Sequence, residues 1–122
     1  MAYESILVVD DSPTQLNLIT TALRAKGYRI STASDGEEAL VKAQAERPDL
    51  IVLDIIMPKP NGFQVCRKLR RIDSTKDIKV LFLSSKDQES DKVWGMRQGA
   101  DAYLTKPFVD SELIDVVSSL VR

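Results

Sequence analysis

The chain has 122 residues, which is the size of one ordinary domain and enough to bury a core without disulfides. Its 17 basic and 18 acidic residues leave a net charge of −1, so we expect no nucleic-acid or membrane partner. Cys66 is the only cysteine and histidine is absent, which excludes an internal disulfide, a Ser-His-Asp triad and a His-ligated zinc site. The sequence shows neither a membrane-length apolar run nor a basic leader, so we expect a cytoplasmic protein.

Short β-type runs alternate along the chain with segments of helical spacing. The runs ILVV, LIVL and VLFL are continuously apolar, which is typical of strands covered on both faces of a parallel sheet. In chain order the predicted elements are strand Ile6–Val9, helix Thr14–Lys26, strand Tyr28–Thr32, helix Gly36–Glu46, strand Leu50–Leu53, helix Gly62–Arg71, strand Lys79–Leu83, helix Gln88–Gln98, strand Ala102–Leu104 and helix Ser111–Val121.

Five strands that are each followed by a helix predict an α/β fold, a (βα)5 doubly wound parallel sheet with helices on both faces. Ser111 is expected to cap the last helix. No repeat, low-complexity tract or linker interrupts the pattern. We therefore expect one domain over residues 1–122, with no output domain attached.

Polar residues collect where the predicted strands end. Asp10 and Asp11 follow the first strand, Asp54 the third, Ser84 the fourth and Lys106 the fifth. Carboxyl ends of parallel strands share one edge of the sheet, the edge at which such sheets bind ligands. Converging carboxylates without His or Cys select Mg²⁺ or Mn²⁺, and a carboxylate can itself act as a phosphoryl acceptor. A lysine and a hydroxyl nearby would neutralise phosphoryl oxygens.

Each of these residues also has a structural interpretation. Asp10 and Asp11 suit the turn before a helix, Asp54 a loop, and Lys106 a solvated position. Ser84 and its neighbour Ser85 are predicted to cap the fourth helix whatever else they do. Their joint placement at four strand ends favours a functional site, because loops have no structural need for this set.

The motifs ILVVDDS, VLDIIMPKPNG, FLSSKD and GADAYLTKPF resemble the receiver domains of two-component signalling, of the CheY-like type, over essentially the whole chain. The resemblance implies a flavodoxin-like sheet of order 2-1-3-4-5. It also implies a monomeric, stand-alone response regulator. Such a protein takes a phosphoryl group from the phosphohistidine of a CheA-like histidine kinase and catalyses only its own phosphorylation and dephosphorylation.

The resemblance also assigns roles to the residues at the acidic edge. Asp54 would be the phosphoacceptor. Asp11 would ligate Mg²⁺ directly, and Asp10 partly through water. Asp54 and the backbone carbonyl of Ile56 would complete the protein ligands.

The remaining roles concern the response to phosphorylation. Ser84 would supply the phosphate-binding hydroxyl and Lys106 the phosphate-binding amine. Tyr103 would be the aromatic switch that turns inward when Ser84 moves. The Lys106–Pro107 peptide bond would be cis.

The segment KDQESDKVWGMRQGA, residues 86–100, is similar to that of PilH-type receivers of type IV pilus twitching motility. This similarity implies chemotaxis-like control of motility, with a downstream motility protein bound by the face of the fourth helix, fifth strand and fifth helix. Trp94, the only tryptophan, is expected to pack against a neighbouring helix, and the alternative is that it forms a hot spot for a partner. Gly95 is expected to weaken its helix.

Other functions compete with this one. The alternative within the family is a phosphate sink or adaptor receiver of another two-component pathway. A receiver with a silent phosphorylation site usually lacks an acid of the pair, the acceptor or the lysine, and this sequence keeps all of them. A phosphatase of the haloacid-dehalogenase type also uses an aspartate nucleophile with Mg²⁺, but it needs an acid two residues later. Those positions hold Ile56 after Asp54 and Ser12 after Asp10. A flavodoxin-like nucleotide-binding domain would need a glycine-rich phosphate loop, which is absent after the first strand.

Overall fold

The computed structural model describes residues 4–121, so the predicted domain limits at residues 1 and 122 lie outside the described part. Its five parallel strands form one sheet of order β2-β1-β3-β4-β5. The elements are β1 (Ser5–Val9), α1 (Pro13–Arg24), β2 (Arg29–Ala33), α2 (Gly36–Glu46), β3 (Leu50–Leu53), α3 (Gly62–Arg71), β4 (Lys79–Ser84), α4 (Glu89–Arg97), β5 (Ala102–Thr105) and α5 (Asp110–Leu120). The predicted (βα)5 fold and its strand order are thus confirmed.

Alternating residues of the central strands feed two cores, one on each face of the sheet. On one face Ile6 and Leu81 pack with residues of α1 and α5, including Ile19 and Leu113. On the other face the alternate strand residues pack with α2 and α3. Burying one such large apolar side chain is worth about 1.5–3 kcal/mol, so the continuously apolar strands contribute substantially to stability.

The helix starts show where local signals misplace an element boundary. Ser111 lies inside α5, because the helix begins at Asp110 and its N-cap is Val109. The backbone N–H of Val109 donates to the carboxylate of Glu112 at 3.0 Å, so a side chain inside the first turn does the capping. Similarly, Ser84 belongs to β4, and α4 is capped at Gln88 rather than at Ser84 or Ser85.

The start of α3 lies directly against the loop that follows β3. A Cβ atom on Gly62 would lie 2.3 Å from the backbone oxygen of Asp54 and 2.7 Å from the Cα of Ile55. Glycine is therefore needed here, because any side chain would collide with backbone atoms. The close approach fixes the position of Asp54 relative to α3.

Cys66 is fully buried in α3 and packs in the core as a small apolar side chain. Burial raises the pKa of its thiol to about 11, so the thiol stays protonated and unreactive at neutral pH. Within residues 4–121, none of the helices is both long enough and apolar enough to cross a membrane.

Candidate functional site

Backbone hydrogen bonds hold the predicted site residues at neighbouring strand ends. The N–H of Asp54 donates to the carbonyl of Val9 at 3.0 Å, which ties the end of β3 to that of β1. The N–H of Lys106 donates to the carbonyl of Ser84 at 2.9 Å and ties β5 to β4. The acidic edge is thus an extension of the sheet ladder, which gives its side chains a rigid support.

Three carboxylates converge at this edge. One oxygen from each of Asp10, Asp11 and Asp54 lies within 4.8 Å of the others. Asp10 and Asp54 are buried, whereas Asp11 is exposed. Such a set of hard oxygen ligands, open to solvent on one side, fits Mg²⁺ or Mn²⁺, which retain water and phosphate oxygens as ligands.

The backbone of Ile56 lies beside the acceptor, as its predicted role as a ligand requires. Its N–H donates to Oδ1 of Asp54 at 3.3 Å. Its apolar side chain is 51% exposed and offers no acid–base group at the position where a phosphatase of the haloacid-dehalogenase type needs an acid. The role of the Ile56 carbonyl stays a prediction.

Lys106 bridges the two buried carboxylates. Its Nζ lies 2.7 Å from Oδ2 of Asp10 and 3.8 Å from Oδ2 of Asp54. Burial raises the pKa of Asp54, the Asp10 carboxylate adds to this effect, and the Lys106 ammonium and the Ile56 N–H oppose it. The geometry therefore provides a desolvated carboxylate with a cation alongside it, an arrangement that can act as a nucleophile. The Lys106–Pro107 bond is cis, and so is Lys59–Pro60, which the sequence did not indicate.

Ser84 and Tyr103 are linked through the backbone of one residue, Lys86. The N–H of Lys86 donates to Oγ of fully buried Ser84 at 3.4 Å. The hydroxyl of Tyr103 donates to the Lys86 carbonyl at 2.6 Å. Burial and the nearby Asp91 carboxylate raise the pKa of Tyr103 to about 12. The connection through Lys86 was missed from sequence, because its side chain is an ordinary exposed lysine and only backbone atoms make the link.

Gly95 is the residue that α4 buries, and it lies against two aromatic side chains. A Cβ atom there would lie 3.1 Å from ring atoms of both Phe82 and Tyr103. The sequence predicted only that Gly95 weakens the helix; the structure adds that it makes room for the two rings. The expectation for Trp94 was wrong, because its side chain is 49% exposed rather than packed against a neighbouring helix.

A doubly wound sheet with an acidic cluster and a bridging lysine at its carboxyl edge is the arrangement expected of a phosphoacceptor signalling domain. Residues 6–118 match the response regulator receiver domain, and the chain belongs to this family. Proteins of this family act with histidine kinases and bind Mg²⁺ at an acidic pocket.

Individual relatives agree with this assignment. The chain is 42% identical to protein PilH of Pseudomonas aeruginosa over 95% of its own length and 96% of that protein. It is 47% identical to the transcriptional regulatory protein PhoP of Bacillus subtilis, but spans only 49% of that longer protein.

Solved structures agree as well. Chemotaxis protein CheY4 of Vibrio cholerae superposes with a TM-score of 0.92 at 34% identity, over 98% of this chain and 99% of that one. The receiver domain of a Pseudomonas aeruginosa sensor histidine kinase superposes with a TM-score of 0.91 at 28% identity, over 98% of both chains. That structure holds a magnesium ion in its active-site cleft.

Proposed function

We propose that this protein is a response regulator of the cytoplasm. Asp54 accepts a phosphoryl group from the phosphohistidine of a CheA-like histidine kinase, and the phosphorylated form controls pilus-driven motility. The observation that carries the proposal is the position of Lys106, which faces both Asp54 and Asp10 at the open edge of the sheet. The similarity to PilH along nearly the full length of both chains supports the motility role.

The transfer itself needs few groups from this chain. A carboxylate oxygen of Asp54 attacks phosphorus as the phosphorus–nitrogen bond of the donor breaks, and the electron pair leaves with the imidazole nitrogen. Magnesium held by Asp10, Asp11, Asp54 and the Ile56 carbonyl would neutralise charge on the phosphoryl oxygens. Lys106, 3.8 Å from Asp54, is close enough to contact the incoming phosphoryl group after a small movement. That contact would weaken its ion pair with Asp10.

Phosphorylation then shifts an existing equilibrium rather than building a new fold. Ser84 moves toward the phosphoryl group and Tyr103 fills the space that Ser84 leaves. Because Tyr103 contacts Gly95, this movement changes the surface formed by α4, β5 and α5. A downstream motility protein would bind that surface.

Phosphorylation of the Asp54→Asn variant tests the acceptor. Wild-type protein incubated with acetyl phosphate and Mg²⁺ should gain the mass of one phosphoryl group in intact mass spectrometry, and Asp54→Asn should gain none. Asp115→Asn, at an exposed position of α5, is the matched control and should be labelled like wild type. Equal labelling of Asp54→Asn and wild type would refute the acceptor role.

Metal binding is tested separately. Adding Mg²⁺ should raise the melting temperature of the wild type, because the ion binds only the folded state and relieves repulsion among three carboxylates. Asp11→Ala should bind Mg²⁺ more weakly than Asp10→Ala does. An unchanged Mg²⁺ affinity in Asp11→Ala would exclude Asp11 as the inner ligand.

Surface motility is tested in cells. The gene is deleted and then restored either as wild type or as Asp54→Asn. We expect these two restored strains to differ from each other in speed, reversal or directional bias on a surface. Wild-type behaviour in all three after deletion would remove the motility assignment and leave the receiver assignment intact.

A further inference from the structure

A basic groove lies between the start of α2 and α3, apart from the residues of the phosphoryl site. Its volume is about 470 Å³. Four cationic side chains line it, three of them from α3 and one from the loop before that helix: Lys59, Arg67, Lys68 and Arg71. Glu37 of α2 is the only carboxylate among the lining residues. The groove is therefore strongly cationic in a chain whose net charge is −1.

These cations differ from their neighbour Arg70. The Arg70 guanidinium donates to the carbonyls of Ile78 and Gly99 and forms a 3.0 Å ion pair with Asp101. Lys59, Arg67, Lys68 and Arg71, by contrast, are exposed, and within residues 4–121 none of them has an ion-pair partner. Arg70 thus stabilises the fold, whereas the four cations that line the groove can pair with carboxylates of a partner.

The walls of the groove are held in place. A Cβ atom on Gly36 would lie 2.4 Å from the backbone oxygen of Pro60, so α2 packs tightly against the loop that carries Lys59. Asn61 and Gln64 form a reciprocal capping box at 2.8 and 3.0 Å, which orders the first turn of α3. A partner would therefore meet a preformed surface and lose less free energy in ordering it.

We propose that this groove binds a short acidic segment of a partner protein. The stretch of α3 from Gln64 to Arg71 is roughly 11 Å long at a rise of 1.5 Å per residue. An extended peptide covers that length with about three or four residues. A segment of this size that carries several Asp or Glu side chains would match the four cations.

The charges favour a peptide over a nucleic acid. Duplex DNA carries one charge per about 1.7 Å, so its phosphates would pass close to Glu37 and to the acidic start of α2. A peptide can place its carboxylates beside the cations and leave an uncharged residue opposite Glu37. Lys59 lies on the same loop as Asp54, so the bound partner would be held next to the acceptor edge.

Fluorescence anisotropy with a labelled hexaglutamate peptide tests the groove. Wild-type protein should bind this probe, with affinity that falls as salt is added. The double variant Arg67→Glu/Arg71→Glu should bind it at least roughly tenfold more weakly. Arg24→Glu/Lys26→Glu carries the same charge change at exposed positions at the end of α1 and just after it, and should bind within about twofold of wild type.

The outcomes separate this proposal from its alternatives. Absence of hexaglutamate binding, or equal weakening in both double variants, would overturn it. Tighter binding of an oligothymidylate with the same number of charges would overturn it in favour of nucleic acid. Labelling of Arg67→Glu/Arg71→Glu by acetyl phosphate should match the wild type, so loss of peptide binding is distinguishable from failure of the phosphoryl site.

Discussion

Helices α3 and α4 flank neighbouring strands on the same side of the sheet, yet they are held very differently. Helix α3 buries Gly62, Val65, Cys66 and Leu69, whereas α4 buries only Gly95 among its nine residues. Three large apolar side chains of α4 are about half exposed: Val93, Trp94 and Met96. Helix α3 is therefore part of the core, whereas α4 lies at the surface and contributes one buried residue.

The contacts between the two helices explain which end of α4 is anchored. From α3, the thiol of Cys66 donates to the carbonyl of Gln98 at 3.4 Å, and Arg70 donates to the carbonyl of Gly99. Both acceptors lie just past the C-terminal end of α4. Toward its N-terminal end α4 buries no residue. That end is held by the 3.9 Å ion pair between Lys86 and Asp91 and by the hydrogen bond from the Tyr103 hydroxyl to the Lys86 carbonyl. Low local stability of this kind is what a responsive element requires.

The largest expected difference between the helices is in stability. Leu69→Ala should lower the free energy of unfolding by about 3 kcal/mol, because it leaves a cavity in the core. Val93→Ala, at a position that is 45% exposed, should lower it by roughly 0.5 kcal/mol or less. Urea denaturation of both variants measures the difference. Equal losses would mean that α4 contributes to the core as much as α3 does.

Gly95→Ala tests the packing of α4 against the Phe82 and Tyr103 rings. Alanine favours helix by about 1 kcal/mol over glycine, but a Cβ atom 3.1 Å from two rings would crowd Phe82 and Tyr103, at a cost of roughly 1–3 kcal/mol. We expect a net loss of about 1 kcal/mol in urea denaturation. Ser90→Ala, at an exposed position of the same helix, should be neutral or slightly stabilising. A Gly95→Ala protein more stable than the wild type would show that α4 moves away from the rings without cost.

The fluorescence of Trp94 should report movement of α4. Phosphorylation by acetyl phosphate is expected to change its emission, because the neighbouring Gly95 contacts the Tyr103 ring. Tyr103→Ala should still be labelled but should lose this change, and Asp54→Asn should show neither. An emission change that persists in Tyr103→Ala would exclude Tyr103 as the link between the site and α4.

The smallest effect near neutral pH concerns the Tyr103 hydroxyl. Its pKa in the folded protein is about 12, above the ordinary value of 10, so folding disfavours ionisation. The stability that depends on the neutral phenol is fully present below pH 10 and is lost as pH rises from 10 through 12. Tyr103→Phe should lack this part of the decline when unfolding is followed against pH. A decline identical to that of the wild type would contradict the assignment.

The order of the elements was predictable because it depends on local periodicity. The continuously apolar runs of β1, β3 and β4 are buried on both faces, as their sequences indicate. The acidic edge was predictable for a related reason, since parallel strands bring their carboxyl ends together. The sequence therefore placed Asp10, Asp54 and Lys106 at one edge, and the structure brings Lys106 within 4 Å of both carboxylates.

The errors had two causes, a competing local cap and tertiary packing. Ser111 has the composition of a cap, but Glu112 reaches the N–H of Val109 and sets the start of α5 one residue earlier. Trp94 has the size of a core residue, but Gly95 faces the sheet in its place. The start of α5 is thus set by a local signal, the acid three residues after the cap, that competes with the serine. The exposure of Trp94, by contrast, depends on what the packed sheet presents to the helix.

The sequence by itself determined the (βα)5 pattern, the parallel sheet and the set of residues at its acidic edge, because periodicity and strand-end position are local properties. Only the tertiary structure decided how firmly each helix is held and which cations have partners. Arg67, Arg70 and Arg71 are close together in one helix, and the sequence does not distinguish their roles. Arg70 meets the carbonyls after α4, while Arg67 and Arg71 face an open groove, because the surroundings of a side chain are set by residues far away in the chain.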